Sequence, residues 1–326
     1  MRVWYDACTG KHTRYGSAIG KHLRKQGHEF IFTTREHPDT LPLAKLLGEK
    51  PLVVGKYNPS TLTSRLQESA ERIIEFSKLF EKNKPDVAIA HQSVELCRTA
   101  FGLGIPIILT ADTPHALAVN RLTIPFAHTV VVSEALPKSF TCTYCAQRVV
   151  PFKGVDEVAW IKDFKPTKIP KTKKPLIVLR QIETKAAYAK GKQDNHKTVA
   201  EKLAELGNVH IVGRYNEGTK EFGEKAVFED TASLVANADL VVSYGGTISR
   251  EAALQGVPSI AISDMAETPV NTYLAKKDFP LFITTEDKVV GFAKKYLGKR
   301  FDVAAKLAEL ENPVDVIAKI VESLKA

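Results

Sequence analysis

SYGGTISREAALQGVP, residues 243–258, is the stretch whose reading decides the fold. An apolar run through Leu240, Val241 and Val242 enters paired glycines, Gly245 and Gly246. A short helical pattern follows, and Gly256 and Pro258 then lead straight into another apolar run over residues 259–263. The order is strand, tight turn, helix, strand. Lacking a Cβ, Gly245 and Gly246 can turn sharply at the strand end and let a ligand approach the backbone. A helix starting near Thr247 presents unpaired N–H groups and the positive end of its dipole, a ready site for phosphate. Thr247 is the expected N-cap, although Arg250 stands where a capping box needs Glu or Gln. Glu251, placed in the first turn, has two readings: a favourable charge at a helix start, or an acceptor for the vicinal hydroxyls of a ribose beside the phosphates.

Working outward, the same alternation fills the chain. In the first half, MRVWYDA, EFIFTTRE, DVAIAH, PIILTAD and HTVVVSE read as strands, with helical stretches at SAIGKHLRKQGH, residues 60–82 and residues 95–103. In the second half, strands at residues 175–180 and 209–213 alternate with helices at 195–206 and DTASLVANA. Val314, Ile317, Ile320, Val321 and Leu324 recur at helical spacing and mark a terminal amphipathic helix. Apolar runs alternating with amphipathic segments call for parallel sheets covered by helices on both faces. The expected fold class is α/β, with two Rossmann-like, doubly wound domains facing a central cleft. The expected boundaries are 1–161 for the first domain, 162–174 for a linker, 175–312 for the second domain, and 313–326 for a helix packing back on the first. In such sheets ligands sit at the carboxyl ends of strands.

Composition narrows the classes. At 326 residues, 44% hydrophobic and 25% charged, the chain is an ordinary globular protein with ample core material. The start lacks a signal-peptide pattern and no apolar run approaches the roughly 20 residues needed to span a bilayer, so a cytoplasmic protein is expected. The net charge of +9 would suit a polyanion, yet KDFKPTKIPKTKK, residues 162–174, holds six lysines against one aspartate. Prolines and the absence of helical period make that stretch a solvated linker, and aromatic interleaving of the kind that reads bases is missing, so nucleic acid is not the expected partner. Of the four cysteines only Cys142 and Cys145 are closely spaced. One CxxC falls short of a four-ligand zinc site, leaving ordinary thiols, a redox pair or a metal as the readings. GxxxxGK[ST] and GxGxxG are both absent, which disfavours P-loop ATPases and NAD dehydrogenases.

ADLVVSYGGTISREAALQGVPSIAISDMAETP resembles the nucleotide-sugar signature of the glycosyltransferase B fold, in particular of the UDP-N-acetylglucosamine 2-epimerase branch. PDVAIAHQS and ADTPHALAVNRLTIPFAHTVVVS resemble that branch's first-half segments in the same order. More closely, VPFKGVDEVAWI, LRQIETKAAY and the GGTxxREAAL block resemble an uncharacterised archaeal and bacterial domain-of-unknown-function family of the DUF354 type, which carries no assigned reaction. The resemblance implies a nucleotide, UDP in the family's pattern, held by Gly245, Gly246, Thr247 and Glu251, approached also by Gly213, Arg214 and Arg180. A surface ion pair of Arg180 with Glu183 is the ordinary alternative for that arginine.

On the acceptor side, the resemblance turns the loop ACTGKHTRYG toward the cleft, where Gly10, Lys11, His12 and Arg14 make it basic and mobile. His12 is a candidate general base, a solvated loop histidine being the ordinary alternative. His91, Asp112 and His115 lie at or just beyond adjacent strand ends and are expected to converge, or merely to hydrogen-bond the loops; Asn120 and Arg121 could complete a polar wall. Departures from the epimerase pattern at Gln92, Asp112-Thr113-Pro114 and Ala118-Val119 remove at least two carboxylates. The expected function is therefore UDP-sugar-dependent glycosyl transfer, independent of metal and cofactor. The alternatives are 2-epimerase-like chemistry and nucleotide-sugar binding without turnover. Relatives of this fold are often dimeric, which admits a homodimer.

Overall fold

The computed structural model describes residues 1–168, 175–181, 195–213, 229–262 and 267–325. The chain divides into two compact units, residues 1–160 with 311–326, and residues 161–310.

The first unit runs β1 (Arg2–Ala7), α1 (Gly10–Lys25), β2 (Glu29–Glu36), α2 (Thr40–Leu46), β3 (Leu52–Lys56), α3 (Leu62–Leu79) and β4 (Val87–His91). It continues through α4 (Val94–Gly102), β5 (Ile107–Thr110), α5 (Leu117–Arg121), β6 (Thr129–Ser133), α6 (Lys138–Cys142), β7 (Val149–Phe152) and α7 (Val158–Ile161). The strands form a seven-stranded sheet in the order β3-β2-β1-β4-β5-β6-β7, with every pairing parallel. Strand order reverses between β1 and β4, the point at which doubly wound sheets open a crevice beyond their carboxyl ends.

The pleat of β1 shows how both faces are covered. Val3, Tyr5 and Ala7 join Tyr15, Ile19 and Leu23 of α1 in one core cluster. Trp4 turns the other way, with its ring centroid 4.9 Å from Phe76 and 4.6 Å from Phe80. Gly16 and Gly20 let α1 lie close to the sheet, since a Cβ at Gly20 would meet the Phe30 ring at 2.6 Å. Val314, Val316, Ile317, Ile320 and Val321 of the helix Pro313–Ser323 complete that cluster.

The second unit contains β8 (Leu176–Arg180), α8 (His196–Ala204), β9 (Asn208–Val212), α9 (Thr231–Asn237), β10 (Leu240–Ser243) and α10 (Thr247–Leu254). β11 (Ser259–Ile262), α11 (Pro269–Lys276), β12 (Leu281–Thr284), α12 (Val289–Tyr296) and α13 (Ala304–Glu309) follow; the helix Pro313–Ser323, α14, belongs to the first unit. Among the described residues, the second unit's five strands are parallel in the order β12-β11-β10-β8-β9. Here the order reverses between β8 and β10. Val199, Leu203, Val289 and Ala293 cover one face of this sheet, and Leu234, Val235, Ile248 and Ala252 the other.

Two expectations change. The basic stretch at 10–16 is not a mobile loop: α1 begins at Gly10, capped by Thr9, whose hydroxyl accepts from His12 N–H. Part of the expected solvated linker is anchored, because Thr167 N–H donates to Ser233 Oγ at 3.0 Å and its carbonyl accepts from Asn237 Nδ2. Residues 169–174, with the remaining lysines, lie outside the described residues. Among the described residues, no helix is long and apolar enough to cross a membrane.

Candidate active site

The switch point of the first sheet gathers a cluster of charged side chains. His91 ends β4, Thr110 ends β5, Asp112 follows two residues later, and Lys11 and His12 sit in the first turn of α1. The Lys11 ammonium donates to Asp112 Oδ2 at 2.5 Å and to Asp156 Oδ2 at 2.9 Å, with Glu157 Oε1 at 3.9 Å. All are shielded: the Lys11 and Asp112 side chains are 13% and 12% exposed, that of Asp156 5% and that of Glu157 0%. Inside such a site charges interact more strongly than in water, so the carboxylates hold the ammonium in place.

His91 is oriented from both sides. Its Nδ1 lies 2.7 Å from Thr110 Oγ1, and Nε2 faces Asp112 Oδ1 at 3.5 Å. Thr110 Oγ1 donates to Ala90 O, which leaves its lone pair for an N–H at His91 Nδ1. His91 Nε2 and Asp112 then form a site where one proton can be taken up or released. The rings of His12 and His91 meet edge to face, with centroids 4.9 Å apart.

His12 is not a solvated loop histidine. Its Nδ1 accepts from Cys8 N–H at 3.3 Å, so the neutral ring carries its proton on Nε2 and presents a donor there. Burial, followed by the positive charges of His91, Lys11 and Arg35, holds its pKa well below the ordinary histidine value. Burial and neighbouring Asp156 likewise push the Tyr15 phenol up and keep it protonated.

The loops that carry these groups are pinned. Gln92 adopts a left-handed conformation, φ +54°, and its side-chain amide donates to Asn120 Oδ1 at 2.5 Å. Asn120 in turn donates to the carbonyls of Thr113 and Pro114, both at 3.1 Å, and so fixes the turn beyond Asp112. Asn120 is fully buried, a support for this loop instead of part of a polar wall. The turn bearing Asp156 and Glu157 is held by Glu311, whose N–H donates to Lys153 O at 2.7 Å while its carboxylate accepts from Lys153 N–H at 3.0 Å. His115 stands exposed, three residues past Asp112 and outside the buried cluster.

A second buried network lies on the other side of β1. Asp6 accepts from Arg72 and Thr33 at 2.8 Å each and from Ser93 at 2.6 Å. Its carboxylate is satisfied, which makes it an anchor joining β1, β2, α3 and α4. Burial and the Asp6 carboxylate push the Cys8 thiol up to about 12.

In both networks ligand-type atoms approach one another. Among the described residues, His91, Asp112 and Asp156 offer donor atoms within 4.8 Å of one another, as do Asp6, Cys8 and Glu95. In the first group the Lys11 ammonium already bridges the two aspartates.

In the second unit the switch point lies where expected, at the ends of β8 and β10. Arg180 ends β8 and donates through Nη1 to Gly213 O at 3.0 Å. Arg214 and Glu183 lie outside the described residues. α10 starts one residue earlier than a Thr247 cap requires: Gly246 is the N-cap and Thr247 the first helical residue. The two glycines have different reasons to be glycine, and neither needs a left-handed φ. A Cβ on Gly246 would overlap the Arg250 guanidinium, which is buried and donates to Asn271 Oδ1 at 3.1 Å. Among the described residues, a Cβ on Gly245 would meet only Ser243 Oγ, at 3.7 Å. Glu251 lies in the second turn, 1% exposed, and its carboxylate accepts from Thr231 Oγ1 at 3.2 Å.

Sequence reasoning missed Lys11 as an organising residue, and also Tyr15, Asp156 and Glu157. The last two stand in VPFKGVDEVAWI, a stretch that marks the family but shows no spacing tying it to the first helix.

The family described as "Protein of unknown function (DUF354)" matches residues 1–325. The chain belongs to that family. The uncharacterized protein MJ0665 of Methanocaldococcus jannaschii is 30% identical over 97% of this chain and 96% of its own length. Among solved structures, a Listeria monocytogenes protein assigned as a UDP-N-acetylglucosamine 2-epimerase matches with a TM-score of 0.71 at 14% identity, over 99% of this chain and 96% of that one. The spinosyn rhamnosyltransferase SpnG complexed with thymidine diphosphate matches with a TM-score of 0.63 at 14% identity, over 98% of this chain and 100% of that one. At that identity the likeness shows the fold, which is the glycosyltransferase B fold of two parallel α/β sheets.

Proposed function

We propose that this DUF354 protein is a nucleotide-sugar-dependent enzyme of glycosyltransferase type, with UDP as the nucleotide. The single observation that carries the reading is the buried cluster of Lys11, His12, His91, Asp112 and Asp156 at the switch point of the first sheet. Proton-transfer groups, a fixed cation and a neutral donor are there held together by loops with no other evident need for them.

In this reading the His91–Asp112 pair takes the proton of the acceptor hydroxyl, and His12 Nε2–H hydrogen-bonds the acceptor. The diphosphate approaches the backbone at Gly245 and the start of α10, with Gly246, Thr247, Gly213 and Arg180 as its other partners; Arg214, the remaining candidate, lies outside the described residues. Ribose recognition by Glu251 requires its carboxylate to exchange the Thr231 hydroxyl for the sugar's. Nothing in the reading requires a metal or cofactor beyond the nucleotide-sugar itself.

Thermal shifts with UDP, GDP, CDP, ADP and UDP-N-acetylglucosamine test it, wild type against Glu251→Ala. Stabilisation by the uridine ligands that is lost in the variant supports the reading; no shift with any nucleotide refutes it.

One observation favours a second reading. Asp156 and Glu157 restore carboxylates to a site whose sequence had lost those of the epimerase pattern. Epimerase-like chemistry would incorporate solvent deuterium at the sugar's C2 without any acceptor, whereas transfer requires one.

A further inference from the structure

Cys142 and Cys145 take no part in either site. α6 ends in a paired cap: Ala146 N–H donates to Thr141 O at 3.3 Å, and Cys145 N–H to Cys142 O at 3.1 Å. This is the Schellman pattern, whose left-handed residue is usually glycine. Here that residue is Cys145, with φ +53°. A side chain in the left-handed region costs about 1–2 kcal/mol, so glycine would serve the turn better. The thiol, not the turn, accounts for the residue.

We propose that Cys142 and Cys145 form a reversible intramolecular disulfide, a thiol modification site oxidised by low-molecular-weight disulfides such as oxidised glutathione. The hydrogen bond from Cys145 N–H to Cys142 O, with Thr143 in right-handed helical conformation, closes a turn. Such a turn brings its end Cα atoms within about 7 Å, overlapping the roughly 4.4–6.8 Å that a disulfide spans. Both thiols are free and exposed, whereas Cys8 and Cys97 are buried. Burial pushes the thiols of Cys8 and Cys97 up, so they stay protonated and unreactive.

The chemistry balances without another reactant. One thiolate of the pair attacks a sulfur of the small disulfide, forming a mixed disulfide and releasing one small thiol. The second thiolate attacks the protein-side sulfur of that mixed disulfide and releases the other small thiol. Two protein S–H bonds become one S–S bond, and the small disulfide is reduced to two thiols.

The test is oxidation of the full chain by oxidised glutathione, followed by intact mass, thiol titration and tryptic mapping. Lys138 and Arg148 bracket one tryptic peptide, SFTCTYCAQR, that carries both cysteines. The wild type is expected to lose about 2 Da, the two hydrogens, with that peptide no longer alkylated. Titratable thiols in denaturant fall from four to two, since the chain holds four cysteines. Cys142→Ser and Cys145→Ser each stop at the glutathione adduct. Persistence of glutathione adducts on the wild type, a disulfide between chains, or no oxidation where Cys142→Ser is modified would overturn the proposal. Cys145→Gly checks the premise separately: it is expected to raise the melting temperature of the reduced protein, and a lowered one would remove the strain argument.

Discussion

Replacing Lys11 by methionine keeps the length of the side chain and removes its charge. Lys11 bridges Asp112 and Asp156 at 2.5 and 2.9 Å, beside Glu157 at 3.9 Å, in a site where no partner side chain is more than 13% exposed. A unit pair at 4 Å and an effective dielectric of about 20 attracts by about 4 kcal/mol, partly offset by desolvation. The variant removes the attraction and leaves the desolvated carboxylates facing one another. Breaking a buried pair in this way costs about 3–5 kcal/mol. At roughly 2–4 °C per kcal/mol for a unit of this size, the transition of the first unit should fall by about 6–20 °C at pH 7. Differential scanning calorimetry of both proteins reads the effect. A deficit below about 2 °C at pH 7 would refute the picture of Lys11 as the organising cation.

Two further outcomes follow from the geometry. Gly246→Ala should destabilise the second unit by about 1–3 kcal/mol in urea unfolding, because its Cβ strikes the Arg250 guanidinium, whereas Gly245→Ala should leave stability near wild type and abolish the nucleotide-induced thermal shift. His12 has its folded pKa below an unfolded value of about 6.5, so the unfolded chain binds the extra proton as pH falls below 6.5. Stability attributable to His12 is then intact above pH 6.5 and lost below it, by up to about 1.4 kcal/mol per pH unit; urea unfolding of His12→Gln should show none of this loss, and parallel pH profiles for the two proteins would contradict the assignment.

The long buried strands and their helices were legible because apolar runs and amphipathic periods are local signals. β3, β7 and β12 were not: all three are edge strands, and β3 leaves Leu52 and Val53 about half exposed. The start of α1 was missed because Gly10, Lys11 and His12 read as loop chemistry, while Thr9 as its cap is visible only once the hydrogen bond is seen. Strand-end placement brought out His91 and Asp112. The partner that organises them could not be found that way, since Lys11 and Asp156 are separated by 145 positions. Gly245 and Gly246 look alike in sequence and differ in space, because only one backbone is occupied by a neighbouring arginine.

The placement of α14 sets the order of events in synthesis. Its Val314, Ile317 and Val321 complete the core formed with β1 and α1, yet the whole second unit, about 150 residues, is made before them. At roughly 5–20 residues per second the nascent sheet waits about 8–30 s with that face uncovered. During that interval the apolar face of β1 and α1 is transient hydrophobic surface, open to association until α14 covers it.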